Sequence, residues 1–352
     1  MMAPDRQNDS ANTHEASNQD SAWPHRVGAV LVLLVFPLIW LGGLVTSYDA
    51  GMAVPDWPGT YGFNMFAYPL SSWFFGPWDL FVEHGHRLLA SLSGVVAIAL
   101  VVVTWRADRR EWVRWLAVAV LLMIILQGIL GGFRVRFDAR TIAKIHGCLG
   151  PACFALAAAF CVTTSRWWHR IGSQDSISRA ASVVMSRVAW TGLALSYFQL
   201  VVGAFVRHIG VDATPGAFKH LIYTHIGIAV VLLSWTYMHC VLVSRIKDCD
   251  SRVRSSIRWL AFWVTVQFSL GLATWIVKFG WPTWFDQWTT AAKFVIEEKS
   301  FWQMNVITVH VALGSLILAM WTVHAIRCSR ALATACRDNL TQKSGFAGGT
   351  RA

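Results

Sequence analysis

The chain has 352 residues, of which 55% are hydrophobic and only 14% charged, with 20 Trp, 20 Phe and a mean hydropathy of +0.47. A soluble domain carries about 25% charged residues, so the composition excludes that class and predicts a membrane protein. The net charge of +11 does not indicate nucleic acid as a partner, because Lys and Arg accumulate in the cytoplasmic loops of membrane proteins. The sequence has no Cys-x-x-Cys-His motif, which excludes c-type haem attachment.

In chain order, a polar, acidic segment over 1–22 is predicted to be a disordered cytoplasmic tail. Apolar stretches of about 20 residues follow, each long enough to cross a bilayer. Of the 30 Lys and Arg residues, 20 fall in alternate connecting segments and nine in the others, which predicts cytoplasmic termini in a bacterial plasma membrane. The predicted transmembrane helices are 27–47, 82–104, 113–133, 142–165, 184–206, 218–243, 257–279 and 303–326.

An internal repeat divides these helices into two sets of four. The motif Gln-x3-Gly occurs near the outer ends of helices three, five and seven, beginning at Gln127, Gln199 and Gln267. A histidine opens helices four, six and eight. We therefore predict an all-α integral membrane protein of two tandem, pseudo-symmetric four-helix bundles, over 23–170 and 171–327, with a cytoplasmic tail over 328–352.

Histidines near the outer ends of the even-numbered helices carry the functional prediction. Ionisable residues inside a membrane are costly and suggest function. Facing imidazoles in a helical bundle are typical axial ligands of haem iron, and the repeat predicts two such pairs. These four residues, called the outer histidines below, are His86 with His146 and His225 with His310.

A second histidine pattern leaves a different arrangement open. His239 follows His225 by 14 residues, and His324 follows His310 by the same interval. Two stacked haems of an electron carrier would suit that spacing. Because His239 and His324 precede Arg245 and Arg327 so closely, we expect both at the cytoplasmic interface instead.

Charged residues surround the first histidine pair. Glu83 lies one turn before His86 on the same helix face, where a carboxylate could move a proton or stabilise a developing cation. Alternatively, Glu83 simply marks the aqueous end of its helix. Guanidinium groups bind carboxylates bidentately, so nearby arginines are candidate ligands for haem propionates. These candidates are Arg87, Arg134, Arg136 and Arg140.

Several of these motifs together resemble the haem A synthase family. They are Glu83-His-Gly-His86-Arg87-Leu-Leu, Gly51-Met-Ala-Val-Pro-Asp-Trp-Pro58, the segment from Gln127 to Ile145-His146-Gly147, and Thr224-His225-Ile-Gly227. The resemblance covers about residues 27–327. It differs from some family members in having no cysteine in a predicted outer segment.

The resemblance implies an activity and assigns roles to residues. It implies oxidation of the C8 methyl group of haem O, through hydroxylated intermediates, to the formyl group of haem A for terminal cytochrome oxidase. His86 and His146 would hold the substrate haem, and Glu83 would assist the oxidation. His225 and His310 would ligate a haem b cofactor. Haem O synthase and an electron-transfer protein would be partners.

Two other functions remain open at the level of sequence. A membrane b-type cytochrome that only carries electrons would use the same histidine pairs but would not need Glu83. A transporter built on a parallel repeat would carry ionisable groups near the bilayer midplane, whereas the outer histidines cluster near the helix ends.

Overall fold

Eight long helices dominate the computed structural model, which describes residues 21–171, 178–209, 213–247, 249–281 and 295–348, with side chains to residue 333. All eight are long and apolar enough to cross a membrane by length and composition, as predicted. Within these ranges the β-structure is limited to an isolated bridge between Thr60 and Phe63. The helices are α1 Trp23–Ser47, α2 Trp78–Ala107, α3 Glu111–Phe137, α4 Arg140–Thr163, α5 Arg179–Arg207, α6 Pro215–Arg245, α7 Ser251–Phe279 and α8 Phe301–Gly348.

Local sequence signals set where the C-terminal helices begin. Thr214 accepts a hydrogen bond from the Ala217 amide, and the proline that follows Thr214 needs no helical donor. Asp250 caps α7 by accepting from the amides of Arg252 and Val253. These caps place each turn outside the apolar stretch, so the helix interior consists of residues that tolerate lipid.

The helices pack as two sets of four. Each helix contacts the next along the chain, and α1 also contacts α4 while α5 contacts α8. Leu31, Leu100 and Phe154 are buried in the first set, and Ile257 and Trp321 in the second. Because lipid is as apolar as these side chains, the sets are held together by close packing rather than by the hydrophobic effect. The contacts are compatible with two tandem bundles, and their pseudo-symmetry stays a prediction.

The last helix joins the two sets. α8 contacts α1 and α4 of the first set as well as α5 and α7 of the second. Its Ala319 is buried in the first core, whereas its Trp321 is buried in the second. Thr308 of α8 also lies 3.0 Å, oxygen to oxygen, from Ser47 at the end of α1. The two sets therefore share one structural element.

Some predicted boundaries differ from the structure. α8 continues to Gly348 and buries Cys328 and Ala331 in the second core, so the segment predicted as a C-terminal tail from 328 begins as part of the last helix. Its cytoplasmic position stays a prediction. The predicted tail over 1–22 lies outside the described residues up to position 20. The Trp-rich segment 281–303 also lies partly outside them, over 282–294.

Residues 48–77 connect α1 to α2 and are called the outer loop, after the predicted topology. The outer loop contains two 3-10 turns and the short helix Leu70–Phe74. The ring of Trp57 lies directly against Gly132 of α3, where a β-carbon would overlap it. The outer loop is therefore seated on the first set of helices, next to the residues that the sequence predicts to be functional.

Candidate functional site

Glu83 and Arg87 fasten the outer loop to α2. Both side chains are buried, at 3% and 9% exposure, and Arg87 Nη2 lies 2.7 Å from Glu83 Oε1. The other carboxylate oxygen, Oε2, accepts from the Val54 amide at 2.8 Å. Glu83 therefore does not mark an aqueous helix end, because it is a buried partner of both Arg87 and the loop backbone.

Arg87 uses its terminal N–H groups inside the protein. Nη1 donates to the carbonyls of Asp56 and Gly59 at 2.7 and 3.0 Å, and Nη2 donates to that of Val54 at 2.7 Å in addition to Glu83. A guanidinium has five N–H donors, so only the one on Nε is left. This geometry does not favour the prediction that Arg87 binds a propionate.

The rest of the outer loop is held by its own short hydrogen bonds. The carboxylate of Asp56 accepts from the amides of Tyr61 and Gly62 at 2.8 and 2.9 Å. Burial disfavours the charged carboxylate, but these amides hold the pKa of Asp56 below its ordinary value. The loop also contacts α2 through His84, whose Nδ1 lies 3.1 Å from Thr60 Oγ1.

Each outer histidine rests against a glycine of the preceding odd-numbered helix. The ring atom nearest to the glycine is Cε1 in every case, and the same relation recurs in both sets of helices. These glycines therefore make room for imidazoles. A β-carbon would lie 3.0 Å from His86 Cε1 at Gly42, 3.5 Å from His146 at Gly131, 2.9 Å from His225 at Gly203 and 3.2 Å from His310 at Gly271.

The glutamines of the repeat bind the backbone of the same histidines. Gln199 Nε2 donates to the His225 carbonyl at 2.9 Å, and Gln267 Nε2 donates to the His310 carbonyl at 2.9 Å. Sequence reasoning found the Gln-x3-Gly repeat but assigned only helix packing to its glycines. It missed Gly42, because α1 has Leu38 where the repeat has glutamine and so shows no motif.

The second outer pair has a separation that fits a metal between two rings. The ring centres of His225 and His310 lie 6.4 Å apart with an angle of 81° between the rings. Imidazole nitrogen lies about 2 Å from a bound metal and about 1 Å from its own ring centre, which gives about 6 Å between ring centres. The Nδ1 atoms of all four outer histidines are buried without a hydrogen-bond partner among the described residues.

The inner pair, His239 and His324, is buried inside the protein. Both side chains are 0% exposed, and their predicted depth near the cytoplasmic interface stays a prediction. Their Nε2 atoms are 2.8 Å apart and their ring centres 5.0 Å apart. That spacing is 1.4 Å shorter than in the outer pair at 6.4 Å. In this structure the inner pair is therefore too closely spaced to hold the second haem of a stacked arrangement between its rings.

Arg134 and Arg140 line a cavity of about 210 Å³ beside the outer loop. The guanidinium of Arg134 lies directly against Gly51 and interacts electrostatically with Glu83, His86 and His146. Asp49 and Asp138 line the same cavity, so anion binding by Arg134 and Arg140 stays a prediction. Arg136 is exposed, and its predicted role stays a prediction.

His208 and Arg207 add features that the sequence did not single out as functional. His208, just beyond α5, lines the same cavity. Its burial, and to a smaller extent the positive charges of Arg207 and Arg134, lower its pKa to about 4. Arg207 donates to the Gly43 carbonyl at 2.8 Å and to Ser47 Oγ at 2.9 Å. Arg207 therefore links α5 to the end of α1.

The fold and the candidate site define a multi-pass helical membrane protein with two histidines packed against helix glycines in each half. Residues 77–218 match the family described as cytochrome oxidase assembly protein. The relatives include the haem A synthase of Shouchella clausii, 28% identical over 52% of this chain and 58% of its own, and that of Symbiobacterium thermophilum, 30% identical over 52% of this chain and 57% of its own. The chain is thus similar to haem A synthases, and it spans less than two thirds of the length of these two relatives.

A further match is shorter. A protohaem IX farnesyltransferase of Halobacterium salinarum is 27% identical over 36% of this chain and 26% of its own. The family match contains Glu83, His86 and His146, whereas His225 and His310 lie beyond it. The hypothesis that His225 and His310 hold a haem therefore depends on the sequence repeat and on the separation of their rings.

Proposed function

We propose that this protein is a haem A synthase that oxidises the C8 methyl group of haem O to a formyl group. The observation that carries the proposal is the buried Glu83 one turn before His86, inside the segment that matches the family and that also contains His146. In this proposal His86 and His146 hold the substrate, and Arg134 and Arg140 bind its carboxylates.

A haem b held by His225 and His310 would supply one-electron transfer. The residues present fit such a group: the ring centres are 6.4 Å apart, Gly203 and Gly271 leave space for the imidazoles, and Gln199 fixes the backbone carbonyl of His225. Those contacts orient the rings before anything binds, as outer-shell contacts do at metal sites.

Glu83 has two tasks in the proposal. Its carboxylate can accept or return a proton near the reacting edge of the substrate, and burial beside Arg87 excludes bulk water from it. It also fastens the outer loop through Val54. A loss of activity on mutation therefore has to be separated from a loss of the loop.

The membrane placement and partners belong to the same proposal. The excess of Lys and Arg in alternate segments supports cytoplasmic termini, and the matched haem A synthases are bacterial, which supports a plasma membrane. An enzyme that makes haem O would supply the substrate, and a protein that exchanges electrons would act with this protein in the oxidation.

The first test is chemical. Haem would be extracted from cells that make haem O, with and without this protein, and analysed by mass. We expect a new haem heavier by the difference between a methyl and a formyl group. Unaltered haem O together with bound haem b would instead favour the electron carrier, which the geometry of His225 and His310 also suits.

The second test separates the two tasks of Glu83. Glu83→Gln should retain both haems and lose product, because the amide cannot take up a proton. Thr60→Val is the matched control, since it removes the contact with His84 and loosens the same loop while leaving the carboxylate intact. Equal loss of activity in both variants would assign Glu83 to the loop and not to the chemistry.

A further inference from the structure

A cluster of three metal-ligating side chains lies buried in the second core, away from the outer histidines. His239 of α6 faces His324 of α8 at 2.8 Å between Nε2 atoms, and Cys328 Sγ lies 3.5 Å from His324 Nε2. One ligand atom from each residue lies within 4.8 Å of the others. We propose that this cluster, called the inner site, binds a single Cu(I) ion.

A neighbour of His324 sets its tautomer so that Nε2, which faces the cluster, carries the lone pair. Ser256 Oγ donates to the Val253 carbonyl at 2.8 Å and lies 2.7 Å from His324 Nδ1. Because a hydroxyl has one proton, Ser256 accepts from His324 Nδ1–H, which leaves the lone pair on Nε2. A hydrogen bond that fixes the ligating tautomer in this way is typical of metal-bound histidine.

His239 points to the same conclusion. Its ring stacks on Trp321, with ring centres 6.1 Å apart, and its Nδ1 is buried without a partner among the described residues. Because His324 Nε2 carries a lone pair, His239 Nε2 donates to it in the absence of a metal. Ligation through His239 Nε2 moves that proton to the unpartnered Nδ1, so both imidazoles then present a lone pair to the ion.

The ligand types select the class of metal. Two imidazoles and a thiolate suit Cu(I) or Zn(II), whereas Mg²⁺ and Ca²⁺ prefer oxygen ligands, which the cluster does not offer. The ring centres of the inner pair are 5.0 Å apart, against 6.4 Å for the outer pair, so a single ion fits with a smaller rearrangement than a haem would need.

Charge favours Cu(I) over Zn(II). The thiol proton of Cys328 leaves when the metal binds, so Cu(I) with one thiolate is neutral, whereas Zn(II) would leave one positive charge in a buried, apolar core. Arg327, which interacts electrostatically with His324, makes an additional positive charge still less favourable. Zinc also prefers four ligands, and the cluster within the described residues supplies three.

The inner site is separate from the proposed reaction. His239 follows His225 by 14 residues on α6, which is about 21 Å along a helix at 1.5 Å per residue. Its ligands do not touch the outer histidines, so the inference does not depend on the proposed function.

The test is an anaerobic titration of the full-length protein in detergent with Cu(I) against a coloured chelator. We expect one ion per chain, with one sulfur and two nitrogen neighbours in its X-ray absorption spectrum. Cys328→Ser should abolish this binding. Ser256→Ala should weaken it by about 10- to 100-fold, as loss of an outer-shell contact does. Cys153→Ser, at another buried cysteine, is the matched control and should bind as the unmodified protein does.

Haem content and elution volume show whether each variant folds. If Cys328→Ser does not fold, the X-ray absorption spectrum of the unmodified protein tests the predicted ligands of the ion. The inference would be overturned by no bound ion, by a preference for zinc, or by equal weakening by Cys328→Ser and Cys153→Ser. Loss of a haem from His239→Ala would overturn it in favour of a second haem at the inner pair.

Discussion

Replacing the glycines that face the outer histidines should damage the protein in an order set by the distances in the structure. A β-carbon at Gly203 would lie 2.9 Å from His225 Cε1, whereas one at Gly131 would lie 3.5 Å from His146 Cε1. Carbon atoms attract best at about 3.5–4.0 Å. Gly203→Ala therefore has to displace the imidazole by about 0.6 Å, and Gly131→Ala has to displace nothing.

The cost of that displacement can be set against a known range. Overpacking a well-filled core costs about 1–3 kcal/mol. If the whole cost falls on the ligating position of His225, haem affinity in the second half falls by roughly 5- to 150-fold. Gly271→Ala, at 3.2 Å from His310 Cε1, should fall between Gly203→Ala and Gly131→Ala.

The assay is haem content per chain together with the visible and paramagnetic resonance spectra of a bis-histidine iron. Gly128→Ala and Gly227→Ala are matched controls, since Gly128 lies in the same helix as Gly131 and Gly227 lies in the helix of His225. Neither has a neighbour within 4 Å of an added β-carbon. Both should keep their haem and gain some helix stability, because glycine is a poor helix former. Haem loss from Gly227→Ala, or equal loss from Gly131→Ala and Gly203→Ala, would refute the reasoning.

Three further predictions concern stability. Gly132→Ala should expel Trp57 from its seat, which would show as faster chymotryptic cleavage of the outer loop with haem b retained. Because the pKa of Asp56 is lowered in the folded protein, its carboxylate stabilises the outer loop at pH values above its ordinary pKa of 3.8. This stabilisation is lost as pH falls below about 4, so cleavage of the loop should accelerate there. Asp56→Asn should remove that acceleration. Gly192→Ala would overlap the ring of Trp321, so the Tm should fall by an amount equivalent to about 1–3 kcal/mol, while an unchanged Tm would contradict the packing.

Much of the architecture follows from periodicity and charge. Apolar length predicted the eight helices, because a bilayer imposes one length on every helix that crosses it. The burial of Cys328 and Ala331 was not predictable in that way, since the arginines at 327 and 330 resemble the end of a transmembrane helix. A helix that continues into the aqueous phase with one apolar side has no separate signal in composition.

The histidines of the candidate site could be named from the sequence, and their role as ligands stays a prediction, whereas their contacts could not be predicted. A histidine within an apolar helix is conspicuous, whereas the carbonyl that Gln199 binds depends on how α5 and α6 pack. Arg87 illustrates the limit. Its position beside His86 suggested a ligand for carboxylates, but three carbonyls of the outer loop, which is distant in sequence, occupy its donors. The distance between two residues along one helix does not predict which groups of a distant segment will bind their side chains.

The position of α8 has a consequence for how the molecule is made. A ribosome delivers the chain from its N-terminus, so α1 to α4 enter the membrane before any of α8 exists. The core of that first half includes Ala319 of α8, and Ser47 at the end of α1 meets Thr308 of the same helix. The first half therefore stays incompletely packed until α8 is inserted. A haem delivered during synthesis would meet a binding pocket that is not yet complete.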